Sequence, residues 1–252
     1  MNGARGADVL VVLPTYNEAG SIRAVIDRVR AAMPAADVLV VDDASPDGTG
    51  RLVDDVAAVD PAVRALHRAG KQGLGSAYLL AFARARQEGY RYVVEIDADG
   101  SHDPAELTTM IALAEAESAD LVIGSRWVPG GSVVNWPWVR RAISRSGNRY
   151  AGRLLRSRIA DITAGFRVYR VSALDDIDSE VVSSHGYCFQ VETAWMLERA
   201  GGRIIEHPIA FVERASGRSK MHAGIVLEAL WRVTMWGVRE RLGRQTPSRV
   251  RS

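Results

Sequence analysis

Tyr92-Val93-Val94-Glu95-Ile96-Asp97-Ala98-Asp99-Gly100 is the stretch whose reading decides the fold: an apolar run of strand length ends in two carboxylates one residue apart. Side chains on a strand alternate faces, so Asp97 and Asp99 project the same way, Ala98 points away, and Gly100 frees the backbone to turn. Mg²⁺ and Mn²⁺ prefer oxygen ligands, and Mg²⁺ usually takes one or two carboxylates together with substrate phosphates and water. The pair therefore points to a diphosphate-bearing substrate. Taken alone it fits a helix cap or a solvated turn equally well, so its surroundings decide.

Outward from it lie further short runs rich in Val, Ile and Leu: Val9 to Leu13, Val38 to Val41, Val63 to Leu66 and Leu121 to Ile123. They read as buried parallel strands. Between them, Ser21 to Met33, Gly48 to Val59, Gly73 to Glu88 and Pro104 to Glu117 show helical spacing, with Ile22, Val25, Ile26 and Val29 along one face and Ser21 as a helix cap. Alternating strands and helices predict an α/β, Rossmann-like, mostly parallel sheet, in which ligands gather beyond the carboxyl ends of the strands. The polar clusters Pro14 to Glu18, Asp42 to Gly48, His67 to Gly75 and Asp97 to Asp99 all fall at that edge. Beyond Trp127 come a Trp/Pro/Gly loop, a basic helix (140–156), a strand (166–170) and a helix (191–200).

The 252 residues are 47% hydrophobic, ample for a sizeable core, and carry a formal charge of +2. That charge is unevenly spread: residues 213–252 hold nine Lys and Arg against three Glu, a net +6, which leaves −4 for the rest. A basic tail suits nucleic acid, an acidic partner or an anionic membrane. The single Cys188 excludes an internal disulfide, and the N-terminus lacks the apolar core of a signal peptide, so a reducing cytosolic compartment is expected. No run of about 18 apolar residues spans a membrane. Gly224 to Leu242 instead reads as an amphipathic helix, either interfacial or docked on the core. His102, His185, His207 and His222 show no metal-ligand spacing.

PTYNE (14–18), VDDASPDGT (41–49), GKQGLGSA (70–77) and DADGSHDP (97–104), in this order, resemble the family-2 glycosyltransferases of the GT-A fold. GSRWVPGG (124–131), RRAISRSGN (140–148), DITAGFRVYR (161–170) and ERASGRSK (213–220) narrow the resemblance to the polyprenol-phosphate mannose synthases, over roughly residues 8–221. On that resemblance, residues 1–222 are a GT-A catalytic domain and 223–252 a basic amphipathic segment. It implies inverting, metal-dependent transfer of mannose from GDP-mannose to a polyprenyl monophosphate, at the cytoplasmic face of a membrane. Some relatives carry C-terminal transmembrane helices and this sequence shows none, which leaves room for a separate membrane anchor. A UDP-sugar donor and a non-catalytic nucleotide-binding scaffold are the alternatives. Nucleic acid is disfavoured, because the basic tail lacks interleaved aromatics and the carboxylate loops repel phosphates.

The resemblance assigns Pro14, Tyr16, Glu18, Asp42, Asp43, Lys71, Gly73, Asp97, Ala98 and Asp99 to the nucleotide sugar, with Arg214 and Lys220 on a loop that closes over it. Chemically, Tyr16 offers a ring for stacking and Glu18 a hydrogen-bond acceptor. Asp97 and Asp99 are the expected ligands of a Mg²⁺ or Mn²⁺ ion that stabilises departing GDP. Arg126, Arg140 and Ser144 match the acceptor-phosphate cluster, where a guanidinium suits bidentate phosphate binding. The expected catalytic set is Asp97, Asp99 and Arg126. A phosphate monoester is already anionic at neutral pH, so no catalytic base is required. Asp161, Arg167, Gln190 and Glu192 lie in family-like segments without a role that spacing assigns.

Overall fold

Each apolar run read from the sequence forms a strand, and the periodic segments between them form helices. The computed structural model describes residues 8–177, 182, 188–213 and 223–242. Its first half alternates β1 (Val9–Thr15), α1 (Ile22–Ala32), β2 (Asp37–Asp42), α2 (Thr49–Ala57), β3 (Val63–His67), α3 (Leu74–Gln87), β4 (Tyr92–Glu95), α4 (Glu106–Ala116) and β5 (Leu121–Ser125). The second half holds β6 (Ser132–Val134), α5 (Trp138–Leu155), β7 (Arg167–Arg170), a short 3-10 helix (Val171–Asp176), α6 (Cys188–Arg199), β8 (Ile204–Pro208), β9 (Ala210–Val212) and α7 (Ala223–Arg241).

Seven strands make one sheet in the order β3-β2-β1-β4-β7-β5-β8. All neighbours run parallel except β7, which is antiparallel to both β4 and β5. The chain builds outward from β1 through β2 to β3, then returns to place β4 on the other side of β1. This reversal opens a crevice at the carboxyl ends of β1 and β4, the standard ligand position in such sheets. The two loops that flank it are Pro14 to Glu18 and Asp97 to Asp99.

Strand alternation divides the core in two. Val9, Val11, Leu13, Val38 and Val40 pack with α1, α2 and α4, whereas Leu10, Val12, Leu39 and Val41 face α3, α5, α6 and α7. β6, β8 and β9 were not expected from the sequence. β8 contains His207 and Pro208 and lies at the sheet edge, where a proline is tolerated and an apolar run is unnecessary. β6 and β9 are three residues each and, among the described residues, pair only with one another.

The C-terminal helix is docked on the core, one of the two readings of its sequence, and leaves its opposite face exposed. One face is docked: Val233 and Trp236 are buried, and Trp236 stacks on Trp195 with ring centroids 6.0 Å apart. α7 crosses α5 closely at Gly237, where an added Cβ would stand 2.8 Å from the Leu154 carbonyl oxygen. Tyr150 and Thr234 are joined by a 2.6 Å hydroxyl contact. The two helices therefore pack together around Tyr150 to Leu154 and Thr234 to Gly237. The other face leaves Leu227, Leu230, Trp231, Val238 and Leu242 exposed. Among the described residues no helix is long and apolar enough to cross a membrane.

Candidate active site

At the crevice, three backbone N–H groups of the β1–α1 loop are anchored on side chains of the β2–α2 loop. Asn17 donates to Ser45 Oγ, Glu18 to Thr49 Oγ1 and Ala19 to Asp47 Oδ2, each at 3.0 Å. Burial opposes ionisation of Asp47, but hydrogen bonds from the Thr49 side chain and from backbone N–H groups outweigh it and lower its pKa. Asp42 is buried and accepts from Thr15 Oγ1 at 2.9 Å and from the Ser45 N–H at 3.0 Å. Asp43, also buried, pairs with Arg68 and accepts the N–H groups of Gln72 and Gly73 at 3.1 Å each. So Asp42 orders the turn after β2, and Asp43 fixes the loop that carries Lys71. That loop sets the Lys71 ammonium 4.4 Å from the centre of the Tyr16 ring, a cation–π contact across the crevice mouth. Pro14 and Glu18 are half-buried beside it.

The acidic turn is tied to the same frame, since Ser21 Oγ donates to the Ala98 carbonyl at 2.8 Å. Ser21 precedes α1 but forms no side-chain cap of it. Ala98 is buried, as strand alternation requires, while the Asp97 side chain is 39% exposed. Gly100, at φ +78°, makes the turn that lets the Ser101 N–H donate to Asp99 Oδ1 at 3.0 Å. Among the described residues no cluster of three His, Cys, Asp or Glu forms a complete metal cage. Two partly open carboxylates on a fixed turn fit a hard divalent ion that takes its remaining ligands from a diphosphate and water.

Beneath the turn lies a buried pair of charged residues that the sequence did not single out as a pair. Glu95 is fully buried with no hydrogen-bond partner for either oxygen. Burial raises its pKa to about 8; the Arg167 charge opposes that shift and Asp97 adds to it. Arg167, also fully buried, donates instead to the carbonyls of Ala164, Ile162 and Gln190 and to Tyr169 Oη.

On the acceptor side, Arg126 is 9% exposed and clamped by the fully buried Asp161: Nε to Oδ2 and Nη2 to Oδ1, both at 2.7 Å. Nη2 also donates to Thr163 Oγ1 at 3.0 Å. Trp127, Trp136 and Phe211 surround the guanidinium with ring centres 5.5 to 5.8 Å away. The bidentate edge expected to meet a phosphate is thus held by Asp161, which leaves Nη1. Arg140 lies 4.1 Å over the Trp136 ring and donates to Glu213 at 2.6 Å. Ser144 is half-buried one turn along α5, its carbonyl accepting from Asn148. Arg214, Lys220, His185 and His222 lie outside the described residues. Asp161 stands 35 residues from its arginine, a distance no local periodicity reports.

Residues 10–178 match the family model described as glycosyl transferase family 2. The chain belongs to that family. It is 48% identical to the polyprenol monophosphomannose synthase of Mycolicibacterium smegmatis over 93% of this chain and 89% of the relative. It is 51% identical to the undecaprenyl-phosphate mannosyltransferase of Micrococcus luteus over 92% of this chain and 95% of the relative. Two solved structures share the fold. A mannosyltransferase from Pyrobaculum calidifontis, in complex with GDP-Man and Mn²⁺, aligns with a TM-score of 0.60 at 17% identity, over 96% of this chain and 65% of that one. Glucosyl-3-phosphoglycerate synthase from Mycobacterium tuberculosis, in complex with Mn²⁺, UDP and phosphoglyceric acid, aligns at 0.64 and 20% identity, over 93% and 78%. This family-2 member is a glycosyltransferase, and the expected α/β fold with a mostly parallel sheet is the one observed.

Proposed function

We propose that this glycosyltransferase moves mannose from GDP-mannose to a polyprenyl monophosphate, with inversion at the anomeric carbon, while peripherally bound to the cytoplasmic face of a membrane. The observation that carries the reading is the near-half identity, over more than nine-tenths of the chain, to two relatives whose names join mannose to a polyprenyl phosphate. The acidic turn and the arginine-bearing α5 agree with it, since such a reaction brings a diphosphate and a phosphate monoester to one crevice.

Pro14, Tyr16, Glu18, Asp42, Asp43, Lys71, Gly73 and Ala98 form the nucleotide wall, with Tyr16 and Lys71 at its mouth. Asp97 and Asp99 hold a divalent cation, Mg²⁺ or Mn²⁺, whose chemistry is to neutralise charge that develops on the leaving diphosphate. Arg140, Ser144 and the free edge of Arg126 orient the acceptor phosphate. That phosphate is already anionic, so no side chain need remove a proton. Arg214 and Lys220, which the resemblance assigns to the nucleotide sugar, lie outside the described residues.

Radiolabel transfer from GDP-mannose to a polyprenyl phosphate tests this directly. Transfer is expected with Mn²⁺ or Mg²⁺, absent in EDTA, and lowered roughly 10²-fold or more by Asp99→Asn. Undiminished transfer in EDTA overturns the metal assignment. Transfer from UDP-glucose in place of GDP-mannose overturns the donor assignment.

A further inference from the structure

His102 is 3% exposed and lies three residues beyond Asp99. Its imidazole sits between the rings of Phe166 and Phe211, both with centroids 5.1 Å away, the second edge-on at 85°. Neither ring nitrogen has a hydrogen-bond partner. An unsatisfied buried polar group costs about 1–3 kcal/mol, and an apolar side chain in this aromatic slot would avoid that cost. The slot nevertheless contains a group with a donor.

One ring nitrogen points at the acidic turn. His102 Nε2 stands 3.5 Å from Asp97 Oδ2, just beyond the usual range of roughly 2.7–3.2 Å for an N–H···O bond. Gly165 backs the same carboxylate, and a Cβ there would already be 3.6 Å from Oδ2. The Asp97 side chain is thus partly exposed, and His102 and Gly165 lie against its buried side. Direct coordination by His102 is a poor alternative, because the ring is sealed between two phenylalanines while the carboxylates face outward.

We infer that His102 is a positioning residue for Asp97: its Nε2–H closes onto Oδ2 when the carboxylate is ligated and so fixes the orientation of that carboxylate. Carboxylate ligands elsewhere are held by such outer hydrogen bonds, and losing one typically costs 10- to 100-fold in metal affinity. The inference rests on the reading of Asp97 as a metal ligand. The same contact joins the two halves of the site. Phe211, which packs on His102, also lies 5.6 Å from the Arg126 guanidinium, and the Val212 N–H donates to the Ser101 carbonyl at 3.1 Å.

Mn²⁺ affinity in the presence of GDP, read from the free-ion electron paramagnetic resonance signal, tests the inference without turnover. His102→Phe fills the slot without a donor, and His102→Gln places an amide N–H near the Nε2 position. With far-UV dichroism confirming the fold, His102→Phe is expected to bind Mn²⁺ about 10- to 100-fold more weakly, and His102→Gln to recover most of that loss. Wild-type affinity in His102→Phe, or equal losses in both variants, overturns the inference. Asp97→Asn separates it from its premise: unchanged affinity there overturns the ligand reading itself. A measurement on the unmutated chain covers failure of a variant to fold. Adding Mg²⁺ and GDP should move the His102 Nε2–H proton resonance downfield, and an unmoved resonance overturns the inference.

Discussion

Glu95 illustrates what a single residue contributes below the visible site. It ends β4 two residues before Asp97, is fully buried, and receives no hydrogen bond, because the neighbouring Arg167 is satisfied by carbonyls and hydroxyls instead. Burial first, with Asp97 adding to it against Arg167, lifts its pKa from 4.5 to about 8, so the folded chain holds this proton at neutral pH while the unfolded chain releases it. The sign follows from proton linkage. Glu95 favours folding fully below the unfolded pKa of 4.5, and that contribution is lost progressively as pH rises through the folded value of about 8. The slope is at most about 1.4 kcal/mol per pH unit. Glu95→Gln should therefore flatten the fall in stability of the metal-free protein across this range, measured by urea denaturation at several pH values. Parallel curves for the two proteins would show that Glu95 is charged in the fold. None of this was visible in the sequence, where Glu95 reads as one more strand residue.

At the scale of elements, α5 presents an unusual ridge. Arg141, Arg145, Arg149 and Arg153 follow one another at four-residue intervals, all exposed, and none forms an ion pair among the described residues. Like charges at that spacing oppose the helix by a few tenths of a kcal/mol per pair. Trp138, Val139 and Ile143 of α5 are also exposed, as are Leu227, Leu230 and Trp231 of α7, the helix packed against α5. A basic ridge beside an apolar strip is the form of a helix pair that lies on an anionic bilayer. Near such a surface each arginine contributes about 1 kcal/mol, roughly fivefold in partitioning. Replacing the four with Gln should abolish co-sedimentation with phosphatidylglycerol-containing vesicles at moderate salt, whereas Trp138→Ser with Trp231→Ser should weaken binding at every salt concentration. Equal binding of the wild type to neutral and anionic vesicles would rule out the charge argument. The basic helix and the amphipathic tail were both legible in the sequence. The face of α7 that stays open was not, because it depends on how α5 and α7 meet at Gly237.

For the molecule as a whole, what was legible follows the range of the interactions. Strands β1 to β5, the helices between them and the crevice at their carboxyl ends follow from local periodicity and from the rule for parallel sheets. The insertion of β7 antiparallel between β4 and β5, the Asp161 clamp on Arg126 and the packing of Phe211 on His102 join positions 35 or more residues apart, which periodicity does not encode. The crevice is framed by loops from β1, β2, β3 and β4, so a ligand that spans it ties several elements of the sheet together. GDP with Mn²⁺ at about 100 times its dissociation constant should stabilise the fold by about 2.7 kcal/mol. For a domain of this size that is a rise of roughly 5–10 °C in melting temperature. The rise should need both ligands, exceed that given by UDP with Mn²⁺, and lose its metal-dependent part in Asp99→Asn. A melting temperature that GDP and Mn²⁺ leave unchanged would mean that the four loops do not form a nucleotide site, whatever the sequence likeness of the chain.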